Sequence, residues 1–226
     1  MIDFYRVEAV PILIKGRAGY DILVNDPEAT VQDYIDALER FIEENTCYRS
    51  RVPDLASCYS CDLCCRERIP VTLVDAVRLS DRGLQETVAN LLHVFVDGRV
   101  VDITMGLDET GRCIFLDRGK RLCTAYQKRP LVCRTFICCP STRKARQLRE
   151  EIVNAGEDEL VRAWFGIKGK NRSPIIHEGV APRPHPADYA KTAFYGVDEY
   201  SRVKLKKVCS PGLWNMLVTQ KKRRGS

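Results

Sequence analysis

The sequence contains no apolar run near the roughly 20 residues that a membrane-spanning helix needs. Its amino terminus, Met1-Ile2-Asp3-Phe4-Tyr5-Arg6, lacks the basic-then-apolar order of a secretory signal, and Asp3 and Glu8 interrupt it. There is no G-x-G-x-x-G after a strand, no P-loop, no H-E-x-x-H and no G-x-S-x-G. These absences exclude a Rossmann-type nucleotide unit and the common metalloprotease and serine-hydrolase signatures. Histidine is scarce, with 3 in the chain. His93 lies in an apolar-periodic stretch, and His177 and His185 lie in a Pro-rich one; all three read as packed or solvent-facing. The expected location is cytoplasmic, where thiols stay reduced and structural disulfides are rare.

Cysteine, by contrast, is abundant: 11 in 226 residues. Cys58, Cys61, Cys64 and Cys65 fall within eight residues, and Cys113, Cys123, Cys133, Cys138 and Cys139 answer them downstream. A three-residue step lets a turn of backbone aim successive thiolates at one centre, and thiolate is the soft ligand of zinc, copper(I) and iron–sulfur clusters. The odd cysteine total argues further against a disulfide framework. Cys47 stands apart and reads as a small buried hydrophobe.

Residues 6–14 and 20–24 read as strands of a hairpin around Lys15-Gly16-Arg17-Ala18-Gly19, with Pro11 placing the first strand at an edge or bulge. Thr30 and Asp33 form a capping-box pattern before a helix whose apolar stripe is Val31, Tyr34, Ile35, Leu38, Phe41 and Ile42. Thr72 and Asp75 repeat that pattern for a helix reaching about Leu79, and Leu84 to Phe95 reads as another helix carrying His93. Turns at Asp108–Gly111 and Asp117–Lys120 predict a small meander bearing Cys113 and Cys123. Helical chain follows from Thr124, broken at Arg129-Pro130, and a basic amphipathic helix is expected over 141–165. Residues 166–200 read as an irregular wrap. The expected fold is α+β: a small metal-stabilised cysteine-cluster domain with helices packed on short antiparallel strands. Its parts are a hairpin-and-helix scaffold at 1–50, the cysteine cluster at 55–140, and a helix, wrap and basic tail at 141–226.

Cys58-x2-Cys61-x2-Cys64 begins like a bacterial ferredoxin motif but lacks its C-x3-C-P continuation. Adjacent side chains diverge, so Cys64 and Cys65 suit two centres, one polynuclear centre, or one ligand beside one structural thiol. Taking one of Cys138 and Cys139 gives eight ligands, enough for two four-thiolate sites. Together with Cys113-Ile-Phe-Leu, Cys123-Thr-Ala-Tyr126, Arg129-Pro130 and Cys133-Arg134-Thr-Phe136, this set resembles the YkgJ-like zinc- or iron-chelating cysteine-cluster family over residues 55–140. The resemblance implies a metal-chelating domain of a kind labelled iron–sulfur oxidoreductase. A flagellin lysine N-methylase carries a similar cysteine set, which implies that such a domain can sit in an enzyme. Arg129 and Arg134 are candidate cofactor contacts, able to offset thiolate charge, or else helix-packing and ion-pair residues. A 4Fe–4S cluster is the favoured cofactor, with zinc as the alternative.

The net charge of +6 comes from the tail: residues 201–226 hold eight basic side chains and no acidic one. Lys221-Lys222-Arg223-Arg224 could meet nucleic acid, although it lacks aromatic interleaving and a solvated terminus is the simpler reading. Three functions compete: an iron–sulfur electron-transfer protein with a redox or protein partner, an enzyme using the centre, and a structural zinc module. No membrane partner is expected.

Overall fold

The computed structural model describes residues 4–45, 61–167 and 175–218. In chain order the described elements are β1 (Val7–Ile14), β2 (Arg17–Val24), α1 (Val31–Glu44), α2 (Leu73–Leu79), α3 (Leu84–Leu91), β3 (Leu92–Asp97), β4 (Val100–Met105), β5 (Leu116–Asp117), β6 (Leu122–Cys123), α4 (Leu131–Thr135), α5 (Arg143–Gly166), β7 (Ile175–His177), α6 (Leu205–Val208) and α7 (Pro211–Val218). The fold is α+β, with short strands in three separate sheets among the described residues. None of the described helices is long and apolar enough to cross a membrane. Contacts divide the chain into two units that interleave in sequence. The first comprises Met1–Cys58, Arg134–Ile152 and Glu199–Ser226, and the second Tyr59–Cys133 and Val153–Asp198.

In the first unit β1 and β2 form the predicted hairpin, in register from Val7↔Val24 to Ile14↔Arg17. Its two-residue turn, Lys15-Gly16, has both φ angles positive (49° and 76°), as the right-handed twist of the flanking strands favours. Pro11 is accommodated on the outer strand of this two-stranded sheet. α1 starts with the predicted capping box: Asp33 N–H donates to Thr30 Oγ1 (3.2 Å), and Thr30 N–H donates to Asp33 Oδ2 (2.7 Å). Its buried face sets Phe41 against Tyr20 of β2, ring centroids 5.5 Å apart. The C-terminal segment closes over this layer. Val31 N–H donates to Val203 O, Leu205 N–H donates to Ala29 O, and α7 packs on β2.

In the second unit β3 pairs antiparallel with β4 and parallel with β7, giving the order β4-β3-β7. The helix expected to run to Phe95 ends at Leu91, and His93 lies on a strand. Apolar spacing alone carried the helical reading. Pairing decides otherwise, because Val94 and Val96 sit opposite Ile103 and Val101, and all four are buried. β7 likewise orders part of the stretch read as an irregular wrap. The core gathers Val71, Val88, Val94, Ile103 and Met105 with Leu160, Val161 and Trp164 of α5. α5 approaches the start of α2 at Gly156, where a Cβ would come within 2.6 Å of Thr72 Cβ and Cγ2. Only glycine allows that approach.

One turn of α5 also buries a carboxyl. Glu157 Oε1 accepts the Ile103 N–H at 3.0 Å. Burial, with smaller contributions from Asp102 and Asp158, pushes the Glu157 carboxyl from 4.5 up to about 8. A group whose folded value is raised stabilises the fold fully below its unfolded value, and that stability is lost as pH rises through the folded value. Glu157 should therefore reduce stability progressively between about pH 4.5 and 8, by about 3 kcal/mol at neutrality. Urea unfolding of wild type and Glu157→Gln at both ends of that range checks this: the variant should show a smaller fall in stability. Identical pH slopes in the two proteins would remove Glu157 as the cause.

Candidate metal centre

The candidate centre draws on short segments of the second unit. Leu63–Arg66 forms a 3-10 turn, closed by Cys65 N–H donating to Asp62 O (3.0 Å), and it carries Cys64 and Cys65. Cys113 is docked against this turn by its own N–H, which donates to Cys65 O at 2.7 Å. The predicted meander follows: β5 and β6 pair Leu116 with Cys123, and Thr124 N–H donates to Phe115 O at 2.8 Å. Cys133 enters from the first turn of α4. The N–H of Leu131, at the start of that helix, donates to Asp75 Oδ1 at 2.9 Å.

Asp75 thereby joins two helix starts. Its Oδ2 accepts the Thr72 N–H (3.0 Å) and hydroxyl (2.9 Å) in the α2 capping box, while Oδ1 holds α4. The side chain is buried, at 2% exposure. The capping box was legible in the sequence; the second role, 56 residues along the chain, was not.

Cys65, Cys113, Cys123 and Cys133 are neighbours. Each lies close enough to the other three for ionisation of one to disfavour ionisation of the others. Burial, reinforced by that repulsion and by Cys64, pushes the Cys65 thiol up to about 12. Burial raises Cys113, Cys123 and Cys133 as well. The backbone amides of Phe115 and Ala125, each two residues beyond its cysteine, favour the thiolates of Cys113 and Cys123. Neighbouring thiols that resist ionisation unaided suit a cation that supplies the missing charge. Among the described residues, no three His, Cys, Asp or Glu side chains stand at the spacing of a formed metal site. All the described cysteines are free thiols.

The other expected site residues are placed as follows. Cys61 and Cys64 are half-buried in the second unit, while Cys138 (half-buried) and Cys139 (buried) belong to the first. Cys47, Cys58 and Lys221–Arg224 lie outside the described residues. Arg129 stacks on Tyr126 at 3.7 Å, and its charge favours the Cys123 thiolate. Arg134 is bidentate on Glu39, with Nε–Oε1 at 2.7 Å and Nη2–Oε2 at 2.8 Å, an ion pair within the first unit. His177 Nε2 lies 3.0 Å from Val180 O, and His185 Nδ1 accepts the Ala187 N–H.

Sequence reasoning passed over Asp62, a buried carboxylate in the C-x2-C step. Arg121 (3.0 Å), Arg66 (3.4 Å) and Arg112 (3.8 Å) all gather on it. Burial raises the Asp62 carboxyl, but hydrogen bonds from Arg121 and Arg66 outweigh that and leave it below its ordinary value. The available signal was an acid between cysteines with arginines flanking the other cysteines.

Residues 57–156 match the family model CxxCxxCC, whose description is "Putative zinc- or iron-chelating domain". Neither the curated proteins nor the solved structures contain a match to the chain.

Proposed function

Given a CxxCxxCC domain at residues 57–156, we propose that the protein binds its metal through Cys65, Cys113, Cys123 and Cys133 as an iron–sulfur centre and uses it for electron transfer. The observation that carries this reading is the grouping of these four thiols, with Cys113 docked on Cys65 through its backbone N–H at 2.7 Å. Four cysteines are the usual complement of a cubane cluster, and N–H donors to sulfur stabilise the electron-rich thiolates and raise the reduction potential. Such a cluster would supply one-electron chemistry. The chain's own contribution is to half-bury the four cysteines, to favour the Cys113 and Cys123 thiolates through the Phe115 and Ala125 amides, and to bring the positive charge of Arg129 near Cys123. Cys61, Cys64 and Cys58 are the nearest candidates in sequence for further ligands.

Anaerobic purification with iron, sulfide and zinc analysis and an ultraviolet–visible spectrum tests the assignment. The expected result is a brown protein with near-equal iron and sulfide, bleached by dithionite. A colourless protein holding stoichiometric zinc would replace the redox reading with a structural zinc module on the same thiols.

A further inference from the structure

A second feature of the same unit is an open cleft of about 420 Å3 lined by Arg66, Thr110, Gly111, Arg112 and Arg118. That volume lies within the range of small-ligand pockets. Among the described residues its lining holds three guanidinium groups and no carboxylate. Two carboxylates outside the lining hold these arginines. Asp62, with its side chain 5% exposed, holds Arg66 through Nη2 and Arg112 through Nη1. Asp108 holds Arg118 through Nη2 at 2.5 Å, and Thr110 Oγ1 accepts from that same nitrogen at 2.9 Å. The turn is itself fixed, because Asp108 Oδ1 accepts the N–H groups of Thr110 (2.8 Å) and Arg112 (3.2 Å). Each of these pairs uses one terminal nitrogen of the guanidinium, and the three side chains keep 50%, 31% and 52% exposure. Arg121 shares Asp62 as well. Among the described residues, the ion pairs of these four guanidinium groups thus run to two carboxylates, Asp62 and Asp108.

We propose that this cleft binds a small phosphate-bearing anion. A carboxylate saturates a single arginine fork, whereas a tetrahedral dianion presents oxygens to several forks at once. Here the forks come from three chain segments, and their carboxylate partners hold them in place before a ligand arrives. The site stands on different residues from the thiol centre and does not depend on which metal that centre holds.

Titration calorimetry of inorganic phosphate into the full, metal-loaded chain tests it, at fixed ionic strength and near neutral pH, with metal content measured afterwards. Saturable binding is expected in the millimolar range or tighter, weakening as salt is raised. Arg118→Gln and Arg112→Gln should each weaken it at least about tenfold. Arg99→Gln, which removes an exposed pair with Asp188 outside the cleft, should leave it unchanged. The proposal is overturned if phosphate gives no saturable heat, or if Arg118→Gln and Arg112→Gln bind as wild type does. It is equally overturned if Arg112→Gln loses metal while phosphate affinity stays intact, which would assign the arginines to balancing thiolate charge. Binding of a hexaglutamate peptide without binding of phosphate would also sink it, in favour of an acidic protein partner.

Discussion

Cys133→Ser should lose its metal. The thiol sits in the first turn of α4, among three others that its ionisation repels, and a serine hydroxyl is a poor substitute for thiolate toward zinc or iron. Changes outside the ligand set of metal sites already lower affinity 10- to 100-fold, so removal of a ligand should lower it by at least about a hundredfold. Because ligation free energy is also folding free energy, the unfolding midpoint should fall with the metal content, and a chelator should reproduce that fall in wild type. Cys209→Ser is the control. That thiol belongs to the first unit, and burial, with Glu151 adding, pushes it up to about 12. Metal analysis alongside urea unfolding reads both variants. Retention of stoichiometric metal by Cys133→Ser would remove Cys133 from the ligand set.

Asp75→Ala should be the most damaging change that touches no cysteine. It deprives the Thr72 amide and hydroxyl and the Leu131 amide of their acceptor at a buried position. Losing the α2 cap costs about 1–2 kcal/mol and losing the buried acceptor of the Leu131 amide about 1–3 more, for a total of roughly 2–5 kcal/mol. Thr72→Val keeps the shape facing Gly156 and removes only the hydroxyl, so it should cost about 1–2 kcal/mol. The two variants should also differ in metal retention, because only Asp75 holds the start of the helix that carries Cys133. Equal losses of stability and of metal in both would show that the Leu131 contact contributes nothing.

What the sequence made legible was local. Thr30 with Asp33, and Thr72 with Asp75, announce helix starts because a capping box is complete within four residues. The hairpin is readable for the same reason, its turn chemistry lying between two apolar runs. The segment from Leu92 to Asp97 was misread because its apolar residues fit a helix as well as a strand. Only its partners in Val100–Met105 and Ile175–His177 decide between the two. At the centre, spacing identified the cysteines but not their grouping. Cys65 meets Cys113 through a bond spanning 48 residues, and nothing near either one signals it. The two arginines of the second cysteine block looked equivalent, yet Arg129 lies beside Cys123 while Arg134 is claimed by Glu39, 95 residues earlier.

The bond from the Cys113 amide to the Cys65 carbonyl has a consequence in time. Before the chain folds, the block from Cys58 to Cys65 is already within reach of an ion, since only short loops must close. Cys113, Cys123 and Cys133 arrive later, after much longer loops have closed, although the entropy of closure grows only slowly with length. An ion captured early by the local block would stabilise the unfolded chain, which would reduce the advantage that binding gives the folded one. With the proposed ligands, an ion that arrives after the meander has docked would meet thiols from every segment at once. On that proposal the yield of correctly loaded protein should depend on when metal is supplied relative to folding, with refolding before metal addition favouring the four-segment centre.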